Sequence, residues 1–185
     1  MDSFNHQSKW DKEELNKFRV EDFNGLDVND STIDFLTNIG LPDSAAPFLS
    51  FDRKDLRTIK DIYDTENERD RFLIDIGSDG AGDPICIDIE NNCEIVALDH
   101  EDNFAKRFAN SSVDKLFAFL SIYKVFGDNL RHLRGDTAFI DSNFRDEELE
   151  GLLTQLRLVD ERALDNDETF WSREIEIFKA NRGVE

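Results

Sequence analysis

The chain has 185 residues, with 42 acidic side chains against 22 Lys and Arg, for a formal charge of -20. Such an excess repels phosphate backbones and anionic membrane surfaces, so neither nucleic acid nor membrane is expected as a partner. Hydrophobic residues at 39% and sixteen phenylalanines exclude a disordered tail and suffice for a core without disulfide or metal staples. One α+β domain over residues 1–185 is expected. Its charge confers solubility, and it also steers a basic partner toward the surface.

Residues 1–7 carry neither a basic region nor an apolar stretch, and no signal peptide is expected there. Cys86 and Cys93 are too sparse for a secreted disulfide framework, so a reducing, cytoplasmic setting is expected. Residues 8–18 place Trp10 and Leu15 among charges and read as a short amphipathic helix. Residues 20–30 read as loop. Ser31 reads as the cap of a second helix carrying Ile33, Phe35, Leu36 and Ile39, with Gly40 ending it. Pro42 and Pro47 predict an extended path to Phe51.

The middle of the chain changes period. Residues 71–76 read as a strand, 77–83 as a glycine-rich turn, and 84–90 and 94–99 as two further strands. Alternation puts Ile85, Ile87 and Ile89 on a core face, with Asp88 and Glu90 on the opposite, polar face. A loop over 91–94 sets Ile89 opposite Val96 and Ile87 opposite Leu98, giving a half-buried antiparallel meander. Residues 104–109 read as a fourth strand or an edge segment. Ser111 and Asp114 have capping-box spacing and open a helix whose Val113, Leu116, Phe117, Leu120 and Tyr123 face the sheet. Phe126 and Gly127 read as its end. Residues 145–158, and 168–180 after the cap candidate Asp167, read as helices. A central antiparallel β-meander with helices on one face and at both ends defines an α+β fold class.

The chemistry tests come out empty. Asp75, Asp79 and Asp83 resemble part of a calcium loop, but Gly77 and Cys86 stand where its third and twelfth positions need ligands. Gly77, Gly80 and Gly82 are followed by a strand, whereas a phosphate loop needs a helix N-terminus there. His100 is the one candidate general base, and no nucleophile or orienting group accompanies it; a structural role is expected. No zinc spacing, cofactor motif or disulfide is read from the three histidines and two cysteines. What remains is a surface. Asp88 and Glu90 on the sheet, Asp79 and Asp83 in the turn, and Asp99, Glu101 and Asp102 beyond the third strand are the candidate partner-binding residues, for a basic protein.

Three segments carry a family resemblance. They are Ile76-Gly77-Ser78-Asp79-Gly80-Ala81-Gly82-Asp83-Pro84, Ile95-Val96-Ala97-Leu98-Asp99-His100-Glu101 and Phe108-Ala109-Asn110-Ser111-Ser112. With the Ile39-Gly40-Leu41-Pro42 step, they resemble the SUKH superfamily, and most closely its fourth family of bacterial immunity proteins. The resemblance covers about residues 36 to 125 and does not reach the C-terminal helices. It implies a cytoplasmic antidote that binds a polymorphic toxin, a nuclease or deaminase among others, and it brings no catalytic residues. Superfamily members that look like adaptors leave an intracellular regulatory module as the alternative. The alternative contact surface is the helical stretch from Arg145 onward.

Overall fold

Period-two alternation in the middle of the chain and 3.6-residue periodicity toward its end sort it into strands and then helices. The computed structural model describes residue 10 and residues 15–53 and 55–182. Among these, the first half runs β1 (Leu15–Asn16), α1 (Asp30–Asn38), β2 (Leu41–Pro42), β3 (Ser44–Ala45), β4 (Leu49–Ser50), β5 (Arg57–Thr58) and α2 (Ile59–Tyr63). Then come β6 (Leu73–Ser78), β7 (Pro84–Asp88), β8 (Glu94–Asp99), β9 (Ala105–Asn110), α3 (Val113–Arg134), α4 (Asp146–Val159) and α5 (Phe170–Ala180). The fold is α+β, as the sequence predicts. β3, β4, β6, β7, β8 and β9 lie in that order in one antiparallel sheet, and β5 also pairs with β6.

The register of the central hairpin differs from the expected one. Ile87 pairs with Ile95 and Ile85 with Ala97, a three-residue shift from Ile87 opposite Leu98. The cause is Asp88. Its carboxylate accepts from the Glu90 amide (3.2 Å) and the Asn91 side chain (2.9 Å), and its carbonyl accepts from the Cys93 amide (3.0 Å). The chain therefore turns at Asp88, and Ile89 and Glu90 belong to the turn rather than the strand. Asn92 and Cys93 complete it with positive φ.

The meander is also buried on both faces, not half-buried. Ile74, Ile85, Ile87, Ile95 and Ala97 meet α3 in the main core. On the other face Leu73, Cys86, Val96 and Leu98 pack with Ile59 of α2 in a second cluster. Tyr63 closes that cluster's edge, its ring 4.9 Å from Phe104. The covering helix, α2, is five residues long, carries no strong periodicity and escapes sequence reading.

Several ends move. The described part of residues 8–18 is extended, with Leu15–Asn16 paired to Leu41–Pro42; residues 8, 9 and 11–14 lie outside the described residues. Gly40 makes this possible, since a Cβ there would collide with the Asn16 carbonyl. Asn29, not Ser31, caps α1 by accepting from the Thr32 amide at 2.9 Å. Pro47 stands in the turn of the β3–β4 hairpin rather than in an extended run. Residues 105–110 form the edge strand β9.

α3 runs past Gly127 to Arg134, and Gly135, at φ +99°, ends it. Gly127 stays helical because its bare face receives the Phe139 ring. Ser111 is not the cap of α3. It donates from its amide (2.7 Å) and hydroxyl (2.8 Å) to the buried carboxylate of Asp160, just past α4. Next to it Asn110 accepts from the indole of Trp171 at 2.9 Å, and Trp171 is fully buried against Tyr123 and Phe119. These two residues thus lock the C-terminal helices onto β9 and α3. Thr169, not Asp167, caps α5.

Candidate partner-binding surface

Two turns at one end of the meander carry most of the candidate acids. In the β6–β7 turn, Asp79 Oδ1 accepts from the amides of Ala81 and Asp83, both at 2.9 Å. This closes the turn that the glycines permit. Asp83 is buried, and its Oδ1 accepts from the His100 amide at 2.9 Å and lies 2.6 Å from His100 Nδ1. Arg107 reaches across from β9, 3.8 Å from Asp83 and in direct contact with Asp99. Asp99 Oδ1 accepts from the amides of Glu101 and Asp102, both at 3.0 Å, and so shapes the β8–β9 turn.

The electrostatics follow from these contacts. Hydrogen bonding to Asp83 raises the His100 pKa above its ordinary value. Burial pushes the Asp99 carboxyl up, but hydrogen bonds from Arg107 and the two amides outweigh it and leave it below the usual carboxylate range. Burial raises Asp79 against the amides that stabilise its charge. Asp79, Asp83 and Asp99 thus hold the two turns together. Glu101 and Asp102 project from the second turn, exposed, and their side chains make no hydrogen bond or ion pair among the described residues.

The other two candidates lie elsewhere. Asp88 was expected on a polar face, but it is only 1% exposed and pairs with Lys106 at 2.7 Å. The face it occupies is covered by α2, which the sequence did not reveal. Glu90 is exposed on the β7–β8 turn, at the opposite end of β7, about 16 Å away at roughly 3.3 Å per residue. The structure brings together Asp79, Asp83, Asp99, Glu101 and Asp102, and it separates Asp88 and Glu90 from them.

Sequence reading missed the ground beside this cluster. A cavity of about 200 Å³ opens between the Asp79 turn, the tip of the β3–β4 hairpin and α5. Phe48 and Ile177 flank it and are 66% and 54% exposed. Glu174 lines it from α5. The signal was present: Phe170, Glu174 and Phe178 recur every four residues along one face of α5, and the middle one is an acid.

Among the described residues no group of three or more His, Cys, Asp or Glu is placed to hold a metal ion. No helix there is long and apolar enough to cross a membrane. Cys86 and Cys93 are free thiols, both buried. A family model described as SUKH-4 immunity protein matches residues 7–178, so the match includes the C-terminal helices. Comparison with curated proteins and with solved structures finds no match.

Proposed function

The chain belongs to the SUKH-4 immunity protein family, and from that premise we propose that it binds and neutralises a cognate toxin domain through its acidic meander end. The toxin is of a nuclease or deaminase class, whose substrate cleft is basic and accepts an acidic plug. Neutralisation takes place in the cytoplasm by occlusion, and no bond is made or broken by this chain. The carrying observation is the pair Glu101 and Asp102, exposed and without side-chain partners among the described residues, beside Asp79, Asp83 and Asp99 on two adjoining turns.

The acids divide the work. Asp79, Asp83 and Asp99 fix the turns, while Glu101 and Asp102 meet the approaching partner. Charges at such a rim chiefly accelerate association, and dissociation is governed by buried anchors. The test uses the toxin domain encoded by the neighbouring gene. Wild type should form a stable complex with it and abolish its toxicity in co-expression. Glu101→Gln with Asp102→Asn should slow association several-fold at low salt and flatten its salt dependence, with dissociation unchanged. Identical association rates at every salt concentration would remove this turn from the interface. Absence of any complex with wild type would overturn the immunity reading itself.

A further inference from the structure

The cavity beside the Asp79 turn has an unusual composition for a pocket within a fold. Its apolar walls, Phe48, Phe170 and Ile177, surround two carboxylates. Glu174 is mostly withdrawn from solvent, yet among the described residues its side chain makes no hydrogen bond and no ion pair. Asp79 spends only Oδ1 on the turn amides, which leaves Oδ2 without a partner among the described residues. A desolvated carboxylate ordinarily recruits a cation or a donor from its own fold. Here the nearest other charge in the cavity is a second acid. Burial, and then the charge of Asp79, push the Glu174 carboxyl up to about 7.

The surroundings favour an incoming group. Phe48 and Ile177 present large apolar surface to solvent on either side of the opening. Phe48 holds φ +142°, a region L side chains rarely adopt, and Gly80 lets the hairpin tip approach, since a Cβ there would stand 3.0 Å from that of Phe48. At about 200 Å³ the cavity is smaller than a typical small-molecule site but suits a single long side chain.

Resting on the immunity reading above, we propose that this pocket is the anchor point of the complex and receives an arginine side chain from the toxin. The guanidinium would bridge Glu174 and the free oxygen of Asp79, a two-carboxylate arrangement that its fork of donors matches. Its stem and planar head would lie against Ile177 and Phe48, where apolar and aromatic surface favours both. The pocket adjoins the turn acids, so steering by Glu101 and Asp102 would deliver the toxin to it. A buried, charged anchor of this kind controls dissociation, which separates its signature from that of the rim.

The experiment measures binding of the full chain to the toxin domain encoded by the neighbouring gene. Glu174→Gln should weaken affinity roughly tenfold or more through faster dissociation, while thermal stability is unchanged or raised. Ile177→Ser, at an exposed position that tolerates exchange, should weaken binding in the same way. Glu174→Arg should abolish the complex, and exchange of one toxin arginine for glutamate should restore it. Wild-type affinity in both Glu174→Gln and Ile177→Ser, with the wild-type complex intact, would overturn the pocket and leave the immunity reading standing. Failure of wild type itself to bind would overturn both.

Discussion

The second face of the sheet and the α5 pocket each bury acids, and they treat them in opposite ways. On the sheet Asp75 accepts from Arg53 at 2.7 Å and from the Gly77 amide at 3.1 Å, while Asp88 pairs with Lys106 at 2.7 Å and caps a turn. In the pocket the charge that acts on Glu174 is that of Asp79, another acid. Burial raises Asp75 as it does Glu174, and Arg53 offsets only part of that rise, so Asp75 stays above its ordinary value with a cation in contact. An acid answered within its own fold belongs to the structure, since removing it would strand its partner. An acid left unanswered costs stability, and its use lies with something that arrives from outside. The partners, more than the burial, separate an architectural carboxylate from a recognition carboxylate.

The strongest way to break this contrast is to remove Asp88. Asp88→Ala leaves Lys106 without its counterion and the β7–β8 turn without its cap. The expected loss is about 3 kcal/mol, because the carboxylate's hydrogen bonds from the Glu90 amide, Asn91 and the Lys106 ammonium are lost together. Urea denaturation checks it through a lower midpoint at unchanged slope. A neutral outcome would return Asp88 to the solvent-facing role that alternation alone suggests.

Glu174→Gln tests the opposite side, with the opposite sign. The folded-state value of about 7 lies above the ordinary 4.5, so folding takes up a proton between those two pH values. Wild-type stability therefore falls as pH rises through that window, with Asp79 and the buried Tyr123 facing the same group. The glutamine variant lacks this slope. It should match wild type near pH 4.5 and exceed it at pH 8 by on the order of 2 kcal/mol, allowing for partial exposure. Thermal melts at both pH values check it. A difference that does not change with pH would mean that the carboxylate is solvated in the folded chain.

What was legible in the sequence divides along similar lines. β8 was read with its bounds, and β7 and α3 by their periodicity, because each has a strong apolar pattern of its own; residues 104–109, without one, were left as a strand or an edge segment. The register failed because alternation continues through Ile89 while the side chain of Asp88 ends the strand early. Whether Asp88 faced water depended on α2, a five-residue helix with too little periodicity to announce that it covers a sheet. Gly127 looked like a stop signal because the Phe139 ring that fills its bare face lies in a later segment. Ser111 looked like a cap because Asp160, its partner, lies 49 residues away. The turn acids were found by composition, but their division into paired and unpaired required the position of Arg107. Glu174 was visible as an acid in an apolar stripe, and only the fold shows that no cation among the described residues comes to meet it.

The smallest expected effect concerns His100, where the paired network meets solvent. Its Nδ1 lies 2.6 Å from Asp83, and that contact raises its pKa above the ordinary 6.5. A histidine whose folded value exceeds its unfolded one adds stability below the unfolded value and loses it as pH rises through the folded value. His100→Ala should therefore lower the melting temperature more at pH 5.5 than at pH 9. The shift will be slight, because the side chain is 41% exposed and its backbone amide still donates to Asp83 in the variant. Neutralisation of the toxin should be unaffected, since the imidazole completes no catalytic set and fills no pocket. A variant that melts like wild type at both pH values would show that Asp83 is held by Arg107 and the amide alone. A variant that stays folded and binds the toxin, yet no longer protects, would assign His100 a chemical role and break the division between paired and recognition groups at its weakest point.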